Sequence, residues 1–122
     1  MQAVSAIIED DAGRVLVVQN PDGVPTLPRL EIHNTQGPLK ELRRFVNQEL
    51  GLEISGWADI LCLTEGKHKY TFFRAYVSGG KAKTFPTSTY LSLSFLAPDL
   101  AVKVLEGEAT TRALKARYPR LY

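Results

Sequence analysis

The fold is decided by residues 38–52, which read Pro38-Leu39-Lys40-Glu41-Leu42-Arg43-Arg44-Phe45-Val46-Asn47-Gln48-Glu49-Leu50-Gly51-Leu52. Pro38 suits the first helical position, where its missing N–H would have no partner within the helix. Gly51 suits the position after the last turn, where the chain often takes a positive φ angle. Between them an apolar residue recurs every three or four positions, at Leu39, Leu42, Val46 and Leu50. The pattern predicts an amphipathic helix over residues 38–50 whose apolar stripe faces a core.

Short apolar segments on both sides of this helix predict strands. Before it, residues 3–8 and 14–19 flank the turn-forming residues 10–13, so we expect a β-hairpin. After it, the predicted strands are residues 60–63, 69–77, 81–85 and 91–95, and the predicted helices are residues 99–106 and 108–118. This order predicts an α+β fold, an α/β/α sandwich in which a mixed β-sheet lies between helices.

Length and composition indicate one ordinary globular domain. The chain has 122 residues, 44% hydrophobic and 23% charged, so we expect a single domain over residues 1–122. The single cysteine, Cys62, excludes an internal disulfide, and its apolar neighbours predict a buried thiol. No segment resembles a signal peptide or reaches the roughly 20 apolar residues of a membrane span. We therefore expect a cytoplasmic protein with no membrane partner.

The charged residues are distributed unevenly along the chain. The net charge is only +2, but residues 1–61 hold five Lys or Arg and nine Asp or Glu, whereas residues 62–122 hold ten and four. The basic second half, especially Arg112, Lys115 and Arg117, makes a nucleic acid or an assembly partner one hypothesis. A solvated surface with uneven charge is the alternative explanation.

The end of the helix carries a pattern of its own, with Arg44, Val46, Glu49, Gly51 and Leu52 at fixed spacing. This pattern, together with the order of elements over residues 3–105, resembles the Nudix hydrolases. Their signature is Gly, five residues, Glu, seven residues, and then Arg-Glu-apolar-any-Glu-Glu-any-Gly-apolar. The chain departs from it at four positions, where Gly is replaced by Leu30 and three Glu by Gln36, Phe45 and Gln48. The chain is therefore identified as a degenerate, Nudix-like member of that superfamily.

The resemblance implies a metal-dependent reaction, and the departures remove most of its ligands. Nudix hydrolases cleave a nucleoside diphosphate linked to another group, with hard cations such as Mg²⁺ neutralising charge and activating the attacking water. On a helix, positions 45, 48 and 49 share one face, and Glu49 is the one carboxylate there. The first hypothesis is a catalytically inactive or impaired module without a cofactor, which binds a nucleotide-type ligand or a protein.

A divergent hydrolase is the second hypothesis. It would hold Mg²⁺ with Glu49 and with acids from other segments, for which Glu31, Glu106 and Glu108 are the candidates. Glu49 and Arg44 would then be its catalytic residues. The structural alternative is that Glu49 pairs with Arg44 or a lysine, and that Phe45 only widens the apolar stripe.

The candidate substrate-binding residues are Arg29, Tyr70 and Arg74. Tyr70 lies on a strand face whose aromatic residues could stack a base. Arg74 belongs to a group of donors around His68 that a phosphate could gather. Besides a small molecule, a protein partner or a second copy of the chain remains open as a ligand.

Overall fold

The computed structural model describes residues 2–32, 37–80 and 90–122. The strands there are β1 (Gln2–Glu9), β2 (Val15–Gln19), β3 (Pro25–Thr26), β4 (Arg29–Ile32), β5 (Leu52–Glu65), β6 (His68–Gly80) and β7 (Ser92–Leu96). The helices are α1 (Pro38–Phe45), α2 (Pro98–Val104) and α3 (Glu108–Arg117). A π-helical turn (Val46–Leu50) continues α1, and a 3₁₀ turn (Pro119–Leu121) follows α3.

β1 lies in the middle of a mixed sheet. Its whole length pairs in parallel with β6, from Gln2 opposite Lys69 to Glu9 opposite Tyr76. On its other side it is antiparallel to β4 over residues 2–5 and to β2 at Glu9. β5 extends the sheet beyond β6, and β3 and β7 both pair with β2. These pairings confirm the mixed sheet that the sequence predicts.

Helices cover both faces of the sheet. Alternate side chains of β1 point to opposite faces, so β1 contributes to a core on each side. Val4, Ala6 and Ile8 pack in one core cluster with the residues of α1 and the π-turn. Ile7 packs in a second cluster with the residues of α2 and α3. The chain is therefore an α+β fold with helices on both sides of one sheet, as expected.

The helix predicted over residues 38–50 forms in two parts. α1 ends at Phe45, and the π-turn continues to Gly51, whose φ of 71° is left-handed. The stripe is confirmed, since Leu42, Val46 and Leu50 have no exposed surface. These residues are four apart, and four residues of an α-helix overshoot one full turn by about 40°. The wider π-turn reduces that drift, so Leu50 stays on the core.

Three other predictions concern the Cys62 thiol, the strand over residues 81–85 and the absence of a membrane span. The thiol of Cys62 is exposed, so the prediction of a buried thiol is wrong. Its apolar neighbours belong to a strand that alternates between core and solvent, and the Thr71 hydroxyl lies 3.7 Å from the sulfur on the outer side. The strand predicted over residues 81–85 lies outside the described residues. No helix in the described ranges is both long and apolar enough to cross a bilayer.

Candidate functional site

Positions 45, 48 and 49 sit where α1 passes into the π-turn, and their side chains have different environments. Phe45 is half-buried and packs against the core cluster on the α1 side of the sheet. Gln48 is exposed, and Glu49 is half-buried. Phe45 thus widens the apolar stripe, as the structural alternative for this residue predicted. One carboxylate and one amide remain on the face that carries three carboxylates in the signature.

Tyr90 packs against this face at Phe45. Only 4% of Tyr90 is exposed, and its ring meets the Phe45 ring edge to face at a centroid distance of 6.1 Å. Its hydroxyl accepts a hydrogen bond from the Arg29 N–H at 3.0 Å and donates one to the Arg29 carbonyl at 3.2 Å. Burial raises the pKa of Tyr90, and the Glu49 carboxylate adds to the effect by disfavouring a phenolate. Tyr90 therefore lies between the helix and the backbone of β4.

The raised pKa of Tyr90 predicts a loss of stability at high pH. An unfolded tyrosine titrates near pH 10. Because the folded protein keeps this proton longer, its contribution is complete below pH 10 and is lost as pH rises towards the folded-state pKa. We expect the free energy of unfolding to fall less steeply above pH 10 in Tyr90→Phe, by up to about 1.4 kcal/mol per pH unit.

Urea denaturation at several pH values between neutrality and pH 11 measures this difference. Below pH 9 the two curves should run parallel, offset by the two hydrogen bonds that Tyr90→Phe removes. Curves that stay parallel above pH 10 would show that Tyr90 does not titrate abnormally.

A cleft of about 250 Å³ opens on the opposite face of the sheet, beside the start of α3. The Arg29 guanidinium lies 5.7 Å from the centre of the Tyr70 ring, and Arg29 Nη2 is 4.0 Å from a Glu31 carboxylate oxygen. Arg29 and Tyr70 both line this cleft, with polar residues around them: Ser5, Thr26, Glu65, Glu106, Glu108 and Thr110. A guanidinium, an aromatic face and three carboxylates therefore meet at one concave surface.

The structure brings together only some of the residues that the sequence singled out. Arg44 lies on the exposed side of α1, with Nη1 3.6 Å from a Glu41 oxygen. Arg74 lies 5.5 Å from the Tyr76 ring and does not line the cleft. Gln36 lies outside the described residues. Of the three substrate-binding candidates, Arg29 and Tyr70 share a site and Arg74 does not.

The basic residues of α3 are not all available to a partner. Arg112 and Lys115 are exposed, and the Lys115 amine lies 5.5 Å from the Tyr122 ring. Arg117 instead binds the buried carboxylate of Glu9 through two of its nitrogens. The basic face proposed for a nucleic acid therefore has one cation fewer than the sequence suggests.

Two contributors to the site were missed by the sequence interpretation. Tyr90 has no apolar neighbour pattern that would mark it as buried, because it precedes the first residue of β7 by two positions. Thr110 lies in the first turn of α3 and lines the cleft. Neither residue belongs to a repeating apolar pattern, so no pattern in the sequence marked either of them as part of a site.

Neither a protein-family model nor a curated protein sequence matches the chain. Several solved structures do. An ADP-ribose pyrophosphatase from Streptococcus suis superposes with a TM-score of 0.71 at 21% identity, over 98% of this chain and 91% of the other. A protein assigned to the NUDIX hydrolases from Listeria monocytogenes gives 0.72 at 16% identity, over 99% and 94%. The chain has the Nudix fold.

A third Nudix-fold match comes from work on MutT of Aliivibrio salmonicida and Vibrio cholerae, with a TM-score of 0.73 at 10% identity over 97% of this chain and 100% of the other. The resemblance seen in residues 3–105 is thereby confirmed at the level of the Nudix fold. At these identities the likeness concerns the fold, and the chemistry has to be judged from the side chains of this chain.

The acidic residues of this Nudix-fold chain supply few ligands for Mg²⁺ on the signature face. Mg²⁺ is usually held through one or two carboxylates together with waters and substrate phosphates in octahedral geometry. Within the described ranges, no three His, Cys, Asp or Glu side chains lie close enough together to hold a metal. All 13 acidic residues fall in those ranges, because residues 1, 33–36 and 81–89 contain no Asp or Glu. The donor set that a catalytic helix would supply is thus reduced to Glu49.

Proposed function

We propose that this chain is a Nudix-fold module that binds a nucleotide-type small molecule and has no metal-dependent hydrolase activity. The observation that carries the proposal is the state of the α1 face, where Phe45 and Gln48 stand in place of two carboxylates. Water attack on a pyrophosphate requires cations that neutralise the phosphate charge and activate the water. On this face Glu49 is the single charged ligand for such cations.

The cleft beside α3 supports the binding half of the proposal. Arg29 supplies a planar set of donors that suits a phosphate, and Tyr70 supplies an aromatic face. Glu106 and Glu108 add acceptors for hydroxyl or amino groups of a ligand. A nucleoside diphosphate derivative carries all of these groups, and the Streptococcus suis structure is named for one of them, ADP-ribose.

The divergent hydrolase remains the alternative activity of this fold. It needs Glu49 together with acids from other segments, Glu31, Glu106 or Glu108, around one ion. Glu106 and Glu108 line the cleft next to α3, whereas Glu49 influences Tyr90 on the α1 side of the sheet. That separation favours the module over the hydrolase.

Calorimetric titration of the intact chain with ADP-ribose, in the presence of EDTA, tests the module. We expect binding without added metal, and we expect Arg29→Gln to weaken it by roughly tenfold, since a hydrogen bond to a charged group contributes about 1.5 kcal/mol. Arg43→Gln is the matched control, because Arg43 is also exposed but lies on α1 outside the cleft. Equal losses in the two variants would contradict the cleft assignment.

Phosphate release from nucleoside diphosphate derivatives, with and without millimolar Mg²⁺ or Mn²⁺, tests the loss of catalysis. We expect no metal-dependent turnover. Turnover that Glu49→Gln abolishes would establish the divergent hydrolase instead. Absence of both turnover and nucleotide binding would point to the protein-partner form of the module.

A further inference from the structure

Three parts of the chain converge on Tyr90. Its ring contacts Phe45, the last residue of α1, and burial followed by the charge of Glu49 raises its pKa. The same hydroxyl is bonded to both backbone polar groups of Arg29 on β4. Tyr90 is therefore enclosed between Phe45 on the signature face and the backbone of β4.

Among the described residues, the side of Phe45 that faces Tyr90 is therefore filled by an aromatic ring and not by open space. Mg²⁺ needs six oxygen ligands at about 2.0–2.1 Å and usually keeps several waters. The space next to position 45 instead holds an aromatic ring that is almost completely buried. A carboxylate introduced at position 45 would meet this ring and not an ion.

The hydroxyl also provides a connection between the helix face and the strand. It satisfies the N–H and the carbonyl of Arg29 simultaneously, while the Arg29 side chain reaches the cleft on the other face. A neutral phenol can do this inside a core, because its donor and its acceptor are both paired. The absence of the signature carboxylates from α1 does not by itself explain why this hydroxyl is bonded to the strand.

We propose that Tyr90 occupies the place of the ion on the signature face, so that two independent features exclude a metal: the missing carboxylates and the Tyr90 ring. The inference rests on the proposed function, in which the natural chain binds no catalytic metal. It goes further because it predicts that restoring the acids is insufficient.

Three variants of the intact chain separate the two features. Phe45→Glu/Gln48→Glu restores the carboxylates and keeps Tyr90. Adding Tyr90→Phe keeps a ring of nearly the same volume without the hydroxyl, and adding Tyr90→Ser removes the ring. Mn²⁺ affinity is measured by calorimetry and by the paramagnetic resonance signal of the free ion, and circular dichroism reports whether each variant is folded.

We expect the variant with Tyr90→Ser to bind Mn²⁺ at least about tenfold more tightly than the variant with Tyr90→Phe, because both carry the same carboxylates and only one has space for an ion. Equal affinities in these two variants would overturn the proposal, and so would failure of the Tyr90→Ser variant to bind Mn²⁺ while folded.

A second pair keeps the comparison usable if Phe45→Glu disrupts folding. Gln48→Glu/Tyr90→Ser and Gln48→Glu/Tyr90→Phe retain the Phe45 contact with the core and add one acid at an exposed position. The same order of affinities is expected, and the same equality would overturn the proposal. Mn²⁺ binding by the natural chain would instead contradict the proposed function, so the two failures are distinguishable.

Discussion

Glu9→Gln is expected to lower the free energy of unfolding by roughly 3 kcal/mol, the range found when a buried ion pair loses one partner. Glu9 is 5% exposed at the end of β1. Its two oxygens accept hydrogen bonds from Arg117 Nε at 2.7 Å and Nη2 at 3.0 Å, and Tyr118 donates a third at 3.0 Å. A neutral amide would leave the Arg117 guanidinium without its counter-charge. It would also place an NH₂ group opposite another hydrogen-bond donor.

The pKa of Arg117 shows how strongly this pair is held. Burial alone would lower that pKa, but the hydrogen bonds and the charge of Glu9 outweigh the burial and raise it. Burial, together with the Glu9 carboxylate, also raises the pKa of Tyr118, so this hydroxyl keeps its proton to a higher pH than an ordinary tyrosine does. The three side chains connect the end of α3 to the centre of the sheet.

Glu41→Gln is the matched control, since Glu41 also faces an arginine but on the solvent side of α1. Arg44 lies 3.6 Å away, and both side chains are at least one-third exposed. Exposed pairs contribute about 0–1 kcal/mol, so this variant should be nearly neutral in urea denaturation. If the two variants lost the same stability, the Glu9 pair would be no more than another surface contact.

The sequence revealed the α1 helix because its information is local. The apolar spacing, Pro38 and Gly51 all act within one segment, and the structure confirms each of them. The pairing of Glu9 with Arg117 could not be predicted in the same way, because 108 residues separate the partners. A single acid at the end of an apolar strand gives no indication of the residue that will neutralise it.

The candidate site was predictable to a similar extent. Phe45 widens the apolar stripe, as the structural alternative predicts, but its contact with Tyr90 joins two residues that are 45 positions apart in the chain. Arg29 and Tyr70 meet because β4 and β6 pair with opposite sides of β1, placing Ser5 opposite both Arg29 and Phe72. Arg74 lies four positions beyond Tyr70 on β6, opposite Ile7, and does not line the cleft. Pairing register is a tertiary property, so residue type alone could not separate Arg29 from Arg74.

Leu42→Ala is expected to produce the other large loss of stability, about 3–4 kcal/mol, or a fall in melting temperature of roughly 10–15 °C. Leu42 has no exposed surface and packs in the core cluster between α1 and the sheet, so its truncation leaves a cavity that rigid neighbours fill only in part. Thermal unfolding followed by circular dichroism measures the effect.

Leu39→Ala is the appropriate comparison for Leu42→Ala, because it removes the same atoms from the same helix at a half-buried position. Its cost should be nearer 1 kcal/mol, since less apolar area is withdrawn from water there. The difference between the two variants measures how far α1 is fixed to the sheet by its buried stripe and not by helix propensity, which the substitutions change equally. Because both residues belong to the stripe, equal costs would mean that depth of burial does not decide how strongly each of them holds α1 and, with it, the positions of Phe45 and Glu49.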